Sequence, residues 1–183
     1  KKTFFLKYQL FIIIISIIFW YYLLGFNFIS PTNSDWLHLG DMSQTQLGWK
    51  FFRDDIWRFP IGLNPNYGIY FDGSIVFSDS IPILAIFFKS IKFFLPENFQ
   101  YFSLWILTCI YLQLFFSFKI IFKITNNLSY SLVGSLFFCT ATIFINRSGL
   151  HLSLMGQWIL LSTFYIETTE YKNKLIYKIL NLL

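Results

Sequence analysis

IPILAIFFKSIKFFL, residues Ile81 to Leu95, decides how this chain is threaded. Fifteen residues rise only about 22 Å as a helix, short of the ~20 residues that cross a bilayer core. Lys89 and Lys92 also interrupt the apolar run. The charges that follow settle the reading. The apolar run from Tyr101 ends at Lys119 and Lys123, and the one from Leu152 leads into Lys172, Lys174 and Lys178. If Ile81–Leu95 stays on one side, all five lysines fall on the side of the basic N-terminus. If it crosses, all five fall opposite. Cytoplasmic loops carry the excess of Lys and Arg, so the segment reads as an interfacial or re-entrant helix.

Working outward, Tyr8–Phe28 is a first span with Lys1, Lys2 and Lys7 on its cytoplasmic flank. Its apolar run is too long for a signal peptide and lacks a small-residue cleavage site. The expected fold is all-α and integral to the membrane. It forms a single domain with about four transmembrane helices (8–28, 101–123, 129–146 and 152–168). A long outer loop, 29–100, carries juxtamembrane helices at 42–57 and 81–95. The composition agrees: 56% of the 183 residues are hydrophobic and 23% aromatic, which soluble domains rarely reach. The net charge of +5 comes mostly from lysines flanking apolar runs, which is membrane topology and excludes a nucleic-acid surface. Cys109 and Cys139 lie inside apolar runs and read as buried thiols. The chain starts at Lys1 and ends in IYKILNLL, which resembles the start of another apolar segment, so a piece of a longer protein is expected.

The outer loop concentrates the chemistry. Between Ser34 and Pro82 lie six of the nine carboxylates (Asp35, Asp41, Asp54, Asp55, Asp72, Asp79) and five of the nine glycines. A helix is predicted from Gly40-Asp41 to about Trp57, capped by Asp41 or Ser43, with Leu47, Phe51, Phe52 and Ile56 as its membrane-facing stripe. Asn64-Pro65-Asn66-Tyr67-Gly68 and Asp72-Gly73 are turn chemistry.

Asp41, followed by Gln44, is the first candidate: a carboxylate at the water–lipid boundary serves as general base or metal contact, though helix capping is the ordinary duty of such an Asp. Asp79 has the same two readings before the Pro82 helix. Delivered from opposite ends of one loop, Asp41 and Asp79 would bind a divalent cation if the fold joined them. Asp54-Asp55 read as a solvated face. Arg53, Arg58 and Arg147 suit a phosphate by their planar fork, Arg147 doubling as an interfacial arginine. His38 and His151 share the outer face without metal spacing. Trp36, Trp49, Trp57 and Trp158 are anchors or core. Dinucleotide, P-loop, GxSxG and paired-cysteine motifs are missing from the sequence, which argues against those chemistries.

The pieces Gly40-Asp41, Ser80-Ile81-Pro82-Ile83-Leu84-Ala85 and Asn146-Arg147-Ser148-Gly149 resemble the N-terminal architecture of integral-membrane glycosyltransferases of the GT-C fold. More closely, GD-x-x-Q-x-x-LGW-x-FFR, W-R-FP-x-G-x-NP-x-YG and SIVFSDSIP, within residues 35–165, resemble an uncharacterised family of bacterial polytopic membrane proteins, a domain of unknown function. The architectural resemblance implies transfer of a sugar from a polyprenyl-phosphate donor to a glycan or lipid acceptor on the outer face of the bacterial inner membrane. Asp41 would be catalytic, and Gln44, Arg53, Arg58, Asp79, Arg147 and His151 would bind substrate. Asp41 lacks the neighbouring partner of a DxD or ExD pair. The alternative is a non-catalytic scaffold or transporter subunit of the cell envelope. Against transport, the spans hold few polar groups beyond Gln9, Ser16, Gln113, Ser117 and Gln157.

Overall fold

The computed structural model describes residues 2–68 and 73–168, with side chains from Tyr8 onward. Asp72, Lys172, Lys174 and Lys178 lie outside the described residues. The fold is mostly helical, with seven α-helices among the described residues: α1 (Lys2–Ile29), α2 (Asp41–Asp54), α3 (Pro82–Ser90), α4 (Phe102–Thr125), α5 (Leu128–Thr140), α6 (Thr142–Arg147) and α7 (Trp158–Thr168). A two-residue antiparallel ladder, β1 (Leu63–Asn64) with β2 (Gly73–Ser74), closes the turn-rich part of the loop.

Two helices are long and apolar enough to cross a membrane, over Tyr8–Ile29 and Phe102–Thr125. Both fall where sustained apolar runs of about 20 residues place them. α1 is kinked at Gly25, whose φ of 73° and ψ of 167° leave the helical region, and the other two expected spans are broken further. The stretch 129–146 breaks at Ala141, whose ψ of 126° leaves the helical region and separates α5 from α6. The stretch 152–168 opens with a 3₁₀ turn, Leu152–Met155, and becomes α-helical only at Trp158, past Gly156. α4 is the central helix and packs against α1, α5 and α7.

The Ile81–Leu95 stretch is likewise divided. α3 has nine residues, a rise of about 14 Å and half a hydrocarbon core; a separate 3₁₀ turn follows at Lys92–Phe94. Lys89 does not face solvent. It is 1% exposed, its ammonium 4.0 Å from the centre of the Phe52 ring and 4.8 Å from that of Trp57, and it donates to the Ile56 carbonyl at 3.0 Å. Burial lowers its pKa from the ordinary lysine value, and the Asp55 carboxylate opposes that shift.

α2 is three residues shorter than expected, because Asp55 turns the chain to an extended conformation. Its apolar stripe also divides: Phe52 is buried, while Leu47, Phe51 and Ile56 are exposed. The inward face is Met42, Thr45, Gly48, Trp49 and Phe52, a set spaced at helical period. Trp49 meets Tyr101 edge to face at 4.9 Å and donates to the Phe99 carbonyl at 3.0 Å. Phe88 of α3 stacks on the same Tyr101 at 5.1 Å. The outer loop is therefore a packed aromatic layer seated on the first turn of α4. From α1, Trp20 donates to the Ser103 carbonyl at 2.7 Å, which fixes that turn from the other side.

Candidate functional site

Gly40 has φ 55° and ψ −135°, backbone that side-chain-bearing residues rarely adopt, and it turns the chain into α2. Gly40 is the N-cap and offers no side-chain cap, while the Ser43 hydroxyl donates back to its carbonyl at 2.6 Å. The expected Asp41 or Ser43 cap is thus not formed. Asp41 is the first helical residue, its carboxylate free of capping duty, at the end of the helix where negative charge is favoured.

Asp79 does not cap α3 either; it closes the preceding 3₁₀ turn, Ile75–Ser78. α3 begins from Ile81 without a side-chain cap. Asp79 (φ 57°) and Ile81 (φ 48°) both occupy the left-handed region, which is costly for a β-branched isoleucine and persists only where surroundings enforce it. The surroundings are specific. The Ser80 hydroxyl donates to the Thr45 carbonyl at 2.6 Å, the Ser78 hydroxyl to the Ile75 carbonyl at 2.9 Å, and the Tyr101 hydroxyl to the Ser80 carbonyl. α2 comes so close that a Cβ on Gly48 would lie 2.2 Å from the Ser78 Cβ and 2.8 Å from the Ser80 Oγ.

The third segment follows α6. His151 precedes the 3₁₀ turn 152–155, which Trp105 of α4 anchors by donating to the Leu152 carbonyl at 2.7 Å. Its Nε2 stands 3.8 Å from Asp41 Oδ2 and its Nδ1 4.0 Å from Asp79 Oδ2. Both separations are longer than hydrogen bonds. The Ser153 amide donates to Asp79 Oδ1 at 3.3 Å, and the Ser153 hydroxyl donates to the same oxygen. Asp79 Oδ2 is buried without a hydrogen-bond partner, with His151 Nδ1 standing 4.0 Å from it. The side chains of Asp41 and His151 are 59% and 44% exposed, against 19% for Asp79. Two carboxylates and an imidazole therefore converge from three segments, with Asp41 and His151 open to a substrate and Asp79 held fast.

The other candidates fall around this cluster or away from it. Gln44 donates to the Phe77 carbonyl at 3.0 Å and ties the start of α2 to the 3₁₀ turn before Asp79. Arg147 closes α6 four positions before His151, and its side chain makes no hydrogen bond or ion pair among the described residues. Arg53 lies twelve positions along α2 from Asp41, about 18 Å, and donates to the carbonyls of Glu97 at 2.5 Å and Leu95 at 3.3 Å. Asp54 is exposed as expected, but Asp55 is not part of a solvated face. It is buried and pairs with Arg58, whose Nε and Nη2 reach it at 2.7 and 3.1 Å. Ser153 was not a candidate, and a single serine near a histidine carries no sequence signal.

The Arg58 hydrogen bonds, with help from the Ile56 amide, hold the Asp55 pKa below its ordinary 3.8 against the opposing effect of burial. A carboxylate depressed in the folded state adds stability that is complete above that ordinary value. The contribution is lost as pH falls through the depressed one. Melting of the detergent-solubilised protein is expected to fall on acidification below 3.8, and Asp55→Asn to flatten that part of the profile.

A family model described as a domain of unknown function (DUF6311) matches residues 13–183. No curated protein matches the chain. No solved structure matches it either.

Proposed function

The chain belongs to the DUF6311 family, a domain of unknown function, and on that premise we propose that it is a membrane glycosyltransferase-like protein. In this reading it transfers a sugar from a polyprenyl-phosphate donor on the outer face of the bacterial inner membrane, with its N-terminus cytoplasmic. The observation that carries the reading is the convergence of Asp41, His151 and Asp79. The two long apolar helices support a membrane setting, and the likeness to GT-C architecture supports the choice of reaction. α5–α6 and α7 are taken as the third and fourth spans, each interrupted rather than straight, and α2 and α3 as juxtamembrane helices.

In the proposed reaction the acceptor hydroxyl attacks the anomeric carbon of the donor sugar. The bond from that carbon to the phosphate oxygen breaks, and its electron pair leaves with the polyprenyl phosphate. The hydroxyl proton passes to the exposed Asp41 carboxylate. His151 orients that carboxylate, and Asp79, fixed by Ser153, orients His151. Arg147 meets the leaving phosphate through its guanidinium fork.

A divalent cation does not fit this cluster. Oxygen ligands must converge within about 2.0–2.6 Å of such an ion, but here the imidazole stands between the two carboxylates with one nitrogen toward each. Among the described residues no group of three or more His, Cys, Asp or Glu is arranged for a metal.

The test is transfer of labelled sugar from a polyprenyl-phosphate donor by membranes carrying the full chain. Label passing to an acceptor, with release of polyprenyl phosphate, is expected; a fully inserted protein with no transfer would leave the scaffold reading standing. Sidedness is tested separately. With Cys109 and Cys139 replaced by serine, single cysteines at Ser43 and Ser148 are expected to label from outside sealed membranes, and one at Asn127 to be protected. Because His151 lies 3.8 Å from Asp41, the two share one side of the membrane; labelling at Asn127 with protection at Ser43 and Ser148 would put the whole cluster on the cytoplasmic face and end the outer-face proposal.

A further inference from the structure

A second concavity opens on a different face of α2. Asp41, Thr45 and Gly48 point to the strained turn, whereas Gln46, Trp49, Lys50 and Arg53 line a pocket of about 210 Å³ completed by His38 and the 97–100 segment. That is smaller than the roughly 300–1,000 Å³ of drug-sized sites, so its occupant is small. The floor is the buried indole of Trp49. The walls are polar and unevenly charged: two permanent cations, Lys50 and Arg53, and an imidazole stand against one carboxylate, Glu97. Among the described residues none of the four is in an ion pair. Arg53 spends two N–H groups on carbonyls, which positions its guanidinium without neutralising it.

A small pocket with surplus positive charge and no internal ion pair calls for an anionic ligand that a guanidinium fork and an ammonium can hold. We propose that this pocket binds a phosphate monoester, the phosphate on Lys50, Arg53 and His38. This site is independent of the Asp41 cluster, and no step of the transfer reaction passes through it. The same chemistry occurs in a soluble polyol phosphate and in the headgroup of a lysophospholipid acid.

Both sources are tested on the full chain in nanodiscs of zwitterionic lipid, by calorimetry and by Trp fluorescence. The first arm titrates glycerol 3-phosphate, with glycerol as control. The second arm compares nanodiscs with and without 1-oleoyl lysophosphatidic acid. Saturable binding in the first arm assigns the pocket to a soluble ligand, and binding in the second arm alone assigns it to a lipid headgroup. Binding in neither overturns the proposal. Lys50 and His38 are both exposed, so the double variant Lys50→Gln, His38→Asn is expected to fold normally and to weaken binding by at least about tenfold. Arg147→Gln is expected to leave it unchanged. Binding that survives the double variant, or that is lost with Arg147→Gln instead, would place the phosphate elsewhere and refute the assignment.

Discussion

Asp41→Asn is expected to reduce sugar transfer by about 10²–10⁴-fold, the range general-base catalysis contributes, while leaving membrane insertion and melting unchanged. The substitution keeps the shape of the side chain and removes only its charge and basicity. The Asp41 side chain is 59% exposed and caps nothing, so its loss costs the fold little. A small drop in transfer, or none, would remove Asp41 from the reaction and leave His151 as the proton acceptor to test. A parallel loss of melting temperature would instead mean that Asp41 holds the 151–155 segment in place. The two results are separable because the assay and the melt are run on the same preparation.

Gly48→Ala is expected to be the most damaging conservative substitution in the outer loop, at about 3 kcal/mol of stability, the upper part of the usual range for overpacking. The new Cβ would lie 2.2 Å from the Ser78 Cβ and Oγ, a separation at which something must move. Neither side gives easily. Gly48 sits in the middle of α2 with its carbonyl accepting from the buried Asn64 amide at 3.0 Å, and Ser78 is fully buried in the turn that presents Asp79. Transfer activity is expected to fall with stability, since the shift displaces Asp79 from His151. Ser78→Gly in the Gly48→Ala background removes the colliding Cβ and is expected to restore part of the stability, as a double-mutant cycle in thermal melts would show. A Gly48→Ala protein within about 0.5 kcal/mol of the parent would mean that this approach is looser than described.

The elements most legible in the sequence are those specified by long, continuous apolar runs. α4 begins and ends within two residues of its expected span, and α1 ends one residue past its own, although its helix begins at Lys2, before the apolar run. The break at Ala141 carries no such sign, with neither glycine nor proline beside it. The buried Lys89 misled for a different reason. A lysine in an apolar stretch reads as an interruption, yet here two ring faces and a carbonyl replace its water. For the site, residue type was informative and grouping was not. Asp41, Asp79 and His151 stand out as ionisable groups in a greasy chain, but their meeting depends on α5 and α6 returning the 151–155 segment to Trp105 at the start of α4. Their freedom from capping depends on Gly40 and on the left-handed turn at Asp79. Ser153 and Gly48 are ordinary residues whose importance lies only in what approaches them.

The hydrogen bonds from Ser153 to Asp79 join groups 74 positions apart, with α3, α4, α5 and α6 all between them. Ribosomes deliver the two carboxylates first and the histidine and serine much later. A nascent or prematurely terminated chain ending before His151 therefore holds its acidic residues without the partner that orients them, and stays inert until the last of the intervening helices has been inserted. Assembly order thus acts as a safeguard. Under the proposed activity, a half-made protein could not act on the scarce lipid-linked precursors around it.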